Sequence, residues 1–456
     1  MNWWNRSYAH FYQNVLFPLF EIKVPPEGKI RPHWKQLLHT QFLTREELER
    51  LQMQKLKQLL QFAYRESPYY RQVMDRRGLN PGQFTGLEWL RQMPIIDKQT
   101  IRENLEAIST QAYRGKRVQY NTGGSTGVPM QFYLPRHVEK SRAAAAALRG
   151  YGWWGYRPGL PMAYFWSSPI DTAREVSLKQ RMYRFFAREH YFDAYRISES
   201  LLNEMVFLMR HRPGVFLKGY PSSLTILARF IVEHQLTVPS PGAVFTTGET
   251  LFPEQRELME QAFHTSVVDF YGNRETNAII FQCPDSGLYH VNDEDVLVEV
   301  EPLKEQPNSR LGELIITDLV NYATPFIRYR TGDLVELGGE TCTCGRGLHT
   351  IRKIVGRTNQ MLRLKNGRLI IPSIFPHYFK DLPGVQQFRV VQEDSAHIRL
   401  ELVVPEGDKK KLEKKILSGL RPILGEGITL SIDYREEIPP LKSGKISYVL
   451  IKQNTP

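Results

Sequence analysis

Four short stretches of this chain carry residue types and spacings suited to handling a nucleoside triphosphate. The first, Tyr120-Asn-Thr-Gly-Gly-Ser-Thr-Gly-Val-Pro129, is rich in glycine and hydroxyl side chains. Glycines let the backbone approach phosphate closely, and successive N–H groups and hydroxyls can cradle its oxygens. The Gly-Lys-Ser/Thr ending of a P-loop kinase is absent. Alone, such a string reads as a flexible surface turn. It is followed, however, by Asp269-Phe-Tyr-Gly-Asn-Arg-Glu275, Arg328-Tyr-Arg-Thr-Gly-Asp333 and Pro439-Pro-Leu-Lys-Ser-Gly-Lys445. Singly these are a strand-to-turn junction, a polar turn and an exposed lysine loop. In this order they offer an aromatic ring for adenine and a carboxylate to hold Mg²⁺ against phosphates. They also offer a second carboxylate for ribose hydroxyls and a lysine to neutralise charge at the α-phosphate.

A second constellation uses every cysteine in the chain. Cys283 and His290 are separated by six residues, and Cys342 and Cys344 flank a single threonine. Three thiolates and an imidazole make a closed tetrahedral zinc site, structural because no ligand position stays open for water. The alternative is three unpaired thiols and a surface histidine. The glycine of Cys342-Thr-Cys-Gly-Arg346 suits a metal knuckle, and no cysteine is left over. His290 as a catalytic base fits less well, because it belongs to the Cys283 loop.

The elements that must position these groups can be read from periodicity. At 456 residues the chain exceeds one compact core, so two or three domains are expected. Residues 1–95 read as a mainly helical lead-in. Thr44 and Glu47 form a capping box, followed by an apolar stripe at Leu48, Leu51, Leu56, Leu59, Leu60 and Ala63. From about 115 to 355, short apolar runs alternate with helical patterns, as in 214–219 before 224–233 and 243–247 before 253–263. That alternation predicts an α/β core, with 296–301 and 313–318 as strands of a more β-rich section. The pattern changes near Gly356-Arg357. Strands at 387–392, 398–404 and 428–434 with a charged helix at 409–420 predict a small α+β domain that ends in a loop and tail. The domains are therefore 1–356 and 357–456.

The net charge of +12 suits a phosphate-rich ligand, an anionic membrane surface or nucleic acid. No helix-turn-helix, zinc-finger or single-strand-binding pattern supports the last. No apolar run reaches membrane-spanning length, the start lacks a signal-peptide layout, and three cysteines do not make a disulfide framework, so a cytoplasmic protein is expected. The aromatic run Phe11–Phe20, broken by Pro18, is expected to pack against the body of the protein, with contact to a membrane or partner as the alternative. The lysine run at 409–415 reads as a solvated helix face.

With the four motifs in this order, the chain resembles the adenylate-forming superfamily of acyl-CoA synthetases, luciferases and peptide-synthetase adenylation domains. Within it, the likeness is to phenylacetate–CoA ligases and their relatives in capsule and surface-polysaccharide clusters. The resemblance runs from about residue 45 to 450 and implies a large multi-sheet N-terminal adenylation domain with a small mobile C-terminal one. It implies that Thr122, Gly123, Gly124, Ser125, Thr126 and Gly127 close over the β- and γ-phosphates. Gly248, Glu249, Tyr271 and Gly272 would line adenine, with Tyr271 stacking. Glu275 would bind Mg²⁺, Asp333 the ribose hydroxyls, Arg357 the ribose or phosphate, and Lys445 would catalyse adenylation. The small domain would turn about Asn359, where an aspartate is usual. Arg274, Gly123 and Met130 also depart from the pattern, without removing a charge the adenylation step needs.

The implied activity is ATP-dependent conversion of a carboxylic acid to acyl-AMP, then transfer to coenzyme A. An amine acceptor, on an amino sugar or amino acid, is the alternative within the class. A catalytically silent nucleotide-binding module is the alternative outside it, against which Glu275, Asp333 and Lys445 speak. The aromatic strings 151–156 and 163–167 read equally as acyl pocket or as core, and Lys218-Gly-Tyr-Pro-Ser-Ser223 is placed beside that pocket by the resemblance. Relatives of this kind are often dimers, so a homodimer is a further expectation.

Overall fold

A computed structural model describes the chain apart from residues 1–2, 123–129, 137–140, 167–176, 195, 277, 304–309, 340–341, 358–360, 366–368, 371–373, 380–381, 383, 405–408, 426, 440–447 and 453–456. The lead-in is helical, as its patterning predicts. The Arg45–Glu66 helix begins at the capping box: Thr44 Oγ1 accepts from the Glu47 amide (3.2 Å), and the Thr44 amide donates to Glu47 Oε2 (2.8 Å). Leu48, Leu56, Leu59, Leu60 and Ala63 are buried, with Leu51 half-buried at the edge of the stripe. A hairpin of β1 (Arg117–Asn121) and β2 (Gln131–Pro135) packs Phe132 and Leu134 into the same core.

One eleven-stranded sheet organises the large unit. Its parallel half is β3 (Met162–Phe165), β4 (Glu189–Phe192), β5 (Phe216–Gly219), β6 (Val244–Thr246) and β7 (Val267–Gly272), in the order β4-β3-β5-β6-β7. These short apolar strands lie between apolar clusters on both faces, which is why they lack clean alternation. The helices Pro221–Glu233 and Pro253–Phe263 are the predicted crossovers. The antiparallel half continues through β8 (Ile279–Gln282), β9 (Tyr289–Val291), β13 (Thr350–Arg357), β12 (Tyr329–Leu337), β11 (Leu311–Asp318) and β10 (Val296–Pro302). The seam between β9 and β13 is narrow: two residue pairs, Thr350 with His290 and Ile351 with Tyr289.

The separate C-terminal unit has a core of its own. A short pair, β14 (Leu362–Arg363) and β15 (Leu369–Ile370), leads into it. Its sheet has the order β18-β17-β16-β19, with β16 at Gln387–Gln392, β17 at His397–Val403 and β18 at Thr429–Tyr434. The expected C-terminal tail is in part a strand. Val449–Ile451 forms β19, parallel to β16, a pairing three residues long and too short to leave a period in the sequence.

A buried polar knot, which periodicity does not show, ties the lead-in to the sheet. Arg149 donates to Glu294 Oε1 (2.7 Å), which also accepts from Thr40 Oγ1 (2.6 Å), while His33 meets Asp295 at 3.1 Å. Arg149 and Glu294 are each 2% exposed. Arg149→Met leaves a carboxylate buried without its guanidinium, so it is expected to cost about 3–5 kcal/mol and lower the thermal midpoint. An unchanged midpoint would show the pair to be dispensable.

Candidate active site

Open parallel sheets bind ligands at the carboxyl ends of their strands, and there the sequence-read residues collect. Beyond β6 the chain turns at Gly248, whose φ of +84° suits glycine; a Cβ there would also stand 3.1 Å from the Tyr220 ring. Trp166 and Tyr220 stack face to face (4.1 Å) beside that turn. Glu249 Oε2 accepts from the Ser222 amide (3.0 Å) in the first turn of the Pro221–Glu233 helix, where positive partial charge favours a carboxylate. A Cβ on Gly272 would meet Thr247 Oγ1 at 3.7 Å, and one on Gly356 would meet Thr250 Oγ1 at 3.3 Å. The turn thus touches the ends of both β7 and β13.

Asp333 is the centre of a charged cluster. Tyr271 donates its hydroxyl to Asp333 Oδ2 (2.7 Å), Asn273 donates to the Tyr271 hydroxyl (3.0 Å), and Arg357 Nε lies 3.2 Å from Asp333 Oδ1. Asp333 and Arg357 are register partners on β12 and β13. Asp333 raises the Arg357 guanidinium above its ordinary value, and burial, then Asp333, raises the Tyr271 phenol. Glu275 is buried, with Lys98 Nζ 3.6 Å from Oε1. Its turn is set by Asn273 Oδ1, which accepts from the amides of Glu275 (2.7 Å) and Thr276 (3.1 Å). Sequence reasoning missed Lys98 and Asn273. The Asx turn was readable from Asn273, but nothing local links Lys98 to a partner so distant in the chain.

Thr122 closes the neck of the glycine-rich loop: its amide donates to the Met130 carbonyl and its Oγ1 accepts from the Met130 amide, both at 2.9 Å. Met130 itself is wholly buried in the helical core, so this departure from the family pattern contributes packing there. Gly123, Gly124, Ser125, Thr126, Gly127, Asn359 and Lys445 lie outside the described residues. Tyr448, three residues after Lys445, docks on the large unit. Its ring is 5.4 Å from that of Phe252, and its hydroxyl accepts from Gln255 Nε2 (3.3 Å).

Beneath the strand ends, on the sheet face that carries Trp166 and Tyr220, lies a cavity of about 170 Å³ lined in part by Tyr151, Tyr156, Tyr164, Glu189 and Lys218. Lys218 Nζ is ringed by Tyr151 (5.3 Å), Tyr164 (5.4 Å), Phe270 (5.5 Å) and Trp166 (5.9 Å). Burial lowers Lys218 to about 8 and raises Glu189, which accepts from the Tyr191 (2.9 Å) and Tyr164 (3.4 Å) hydroxyls. Of the aromatic strings, Tyr151 and Tyr156 are core residues that also line this cavity.

The cysteines converge as the spacing predicts. One donor atom from each of Cys283, His290, Cys342 and Cys344 lies within 4.8 Å of all the others. Cys342 and Cys283 sulfurs are 3.6 Å apart, and His290 Nε2 is 3.2 Å from Cys344 Sγ. Tetrahedral zinc with ordinary bond lengths spaces such donors by about 3.5–3.8 Å. Burial lowers His290 to about 4, so its imidazole is neutral and ligand-competent. The set straddles the β9–β13 seam.

This architecture is that of the adenylate-forming ligases. The solved structure of 2-hydroxyisobutyryl-CoA ligase in the postadenylation state, in complex with 2-HIB-AMP, superposes with a TM-score of 0.70 at 20% identity, covering 90% of this chain and 91% of that one. In sequence, the chain is phenylacetate–coenzyme A ligase-like, as the order of its motifs implied. It is 27% identical over 362 residues to the phenylacetate-coenzyme A ligase of Thermus thermophilus, covering 74% of this chain and 78% of the relative. It is also 25% identical over 414 residues to protein CapK of Staphylococcus aureus, covering 89% of each. Residues 362–453 match the family model described as CapK C-terminal domain.

Proposed function

We propose that the chain joins a carboxylic acid to coenzyme A through an acyl-AMP intermediate, with the adenylate held by Asp333, Tyr271 and Arg357. The observation that carries this reading is the clustering of Asp333, Arg357 and Tyr271 from three separate stretches of the chain, with Glu275 in the turn that follows Tyr271. A substrate carboxylate oxygen attacks the α-phosphorus of ATP, the bond to the bridging β-oxygen breaks, and pyrophosphate leaves. Glu275 is the carboxylate for Mg²⁺, which when bound neutralises charge on the departing phosphates. The loop from Thr122 to Gly127 holds those phosphates, and Gly248, Glu249 and Gly272 border the adenine. Lys445 offsets the charge that grows at the α-phosphate. The unit 357–456 then turns about Asn359. The thiol sulfur of coenzyme A attacks the acyl carbon, the bond to AMP breaks, and the thiol proton passes to solvent.

The cavity lined in part by Tyr151, Tyr156, Tyr164 and Lys218 suits the tail of the acid. Its volume is close to that of engineered apolar cavities that accept benzene, about 150 Å³. Acid-dependent ATP–pyrophosphate exchange over a panel of aromatic, aliphatic and sugar acids tests the first half-reaction. Mass spectrometry of the product, thioester or amide, tests the acceptor. Exchange with none of the acids would defeat the reading. Asp333→Ala is expected to weaken AMP binding by about ten- to hundredfold, the loss of about 1.5–3 kcal/mol for a hydrogen bond to a charged group. Calorimetry returning the wild-type affinity would remove Asp333 from the site. Cys283, His290, Cys342 and Cys344 are assigned to one structural zinc ion, supported by their donor spacing.

A further inference from the structure

The N-terminal segment is apolar on two opposite sides. Inward, Tyr12 and Phe17 are buried, and the Tyr8 hydroxyl donates to the Phe186 carbonyl (2.7 Å), so the expected packing of this segment holds for that side. Outward, Trp4, Phe11, Val15, Leu19 and Ile22 are exposed at successive intervals of seven, four, four and three residues. That spacing repeats one side of a helix, and the segment is helical or π-helical from Trp3 to Phe20. The helix packed beside it, Leu178–Ala187, does the same with Leu178, Met182 and Phe185 at intervals of four and three. The two elements are joined by ring contacts of Phe20 with Tyr183 (5.3 Å) and Phe186 (6.2 Å), so their outward stripes are neighbours. Trp4 is 61% exposed, Leu178 74% and Phe185 77%. A joint patch of this kind marks an interaction surface, not ordinary scatter of single apolar residues.

Charge selects the occupant. Arg6, Lys23, Lys179 and Arg181 are exposed around the patch. Between Trp3 and Lys23 the one carboxylate is Glu21, turned inward onto the amides of Ile30 and Arg31, and Leu178–Ala187 contains none. A two-fold pairing of this face with a second copy would set like charges against each other. We propose that this two-helix face seats the protein on an anionic lipid bilayer, with the apolar stripes in the headgroup region and the cations on the lipid phosphates. The helices lie in the interface and do not cross it; no helix among the described residues is long and apolar enough to span.

Co-sedimentation of the full chain with phosphatidylcholine vesicles, with and without about 30% phosphatidylglycerol, tests this. Wild type is expected to pellet with the anionic vesicles and to be released as salt rises. Trp4→Ser combined with Phe185→Ser should lower the bound-to-free ratio by about tenfold or more. Phe207→Ser, at an exposed phenylalanine on the Glu199–His211 helix, should leave it unchanged. All substituted residues are exposed, and an unchanged thermal midpoint verifies folding. Wild type that stays in the supernatant, equal loss in the Phe207 control, or a sedimentation-velocity dimer dissolved by the double substitution would each overturn the assignment.

Discussion

Lys445→Ala is expected to lower acid-dependent ATP–pyrophosphate exchange by about 10²–10³-fold while ATP binds nearly as before, the effect of removing one preorganised charge from a developing anion. Tyr448 is anchored on Phe252 and Gln255 of the large unit, and Val449–Ile451 is paired to β16 of the small one. If the proposed role holds, the lysine acts on the α-phosphate only as charge builds there, so its loss should fall on the rate and not on ground-state binding. Exchange at the wild-type rate in this variant would defeat the assignment. A parallel loss of ATP affinity would instead mark Lys445 as a binding residue.

Loss of the four-donor site is expected to have the largest effect on stability. Protein purified without a metal-affinity tag should hold about one zinc per chain, and Cys342→Ser should hold none, with its thermal midpoint lowered by at least about 5 °C. The reason lies in the sheet. Within its antiparallel half, β8 and β9 meet β13 and the strands beyond it through only two residue pairs, between β9 and β13. Cys283 and His290 come from the β8–β9 side of that seam, and Cys342 and Cys344 from the turn between β12 and β13. An ion bound by all four would staple the seam where its backbone pairing is weakest. Removing it should raise amide exchange in β9 and β13 first. Metal-free wild type with the same midpoint would exclude a zinc staple.

The two expectations differ in how far sequence could carry them. Asp333, Tyr271 and Glu275 could be proposed from the sequence because the chemistry of a nucleotide demands particular side chains, and each lies in a short contiguous motif. The convergence of the cysteines was legible because a four-donor site with His290 would use every cysteine of the chain. Lys98 was not, since its relation to Glu275 is made by folding alone. The same holds for Glu294, whose partners Arg149 and Thr40 stand on two different helices, and for the enclosure of Lys218 and Glu189. A buried charge leaves no period in the sequence; only the packing around it shows that it is buried.

By itself, the sequence determined the element types, the α/β core followed by a small α+β unit, and the residue types available to ATP and metal. Local backbone preference and one-sided burial act over a few residues, and short motifs keep their chemistry whatever surrounds them. Tertiary structure alone decided which strands are neighbours. It put β13 between β12 and β9, set Asp333 against Arg357, and made the last apolar residues a strand. It also decided that the N-terminal aromatic segment has two apolar sides of which only one is covered. These outcomes depend on contacts between residues tens of positions or more apart, whose energies are set by shape and burial after the chain has closed on itself.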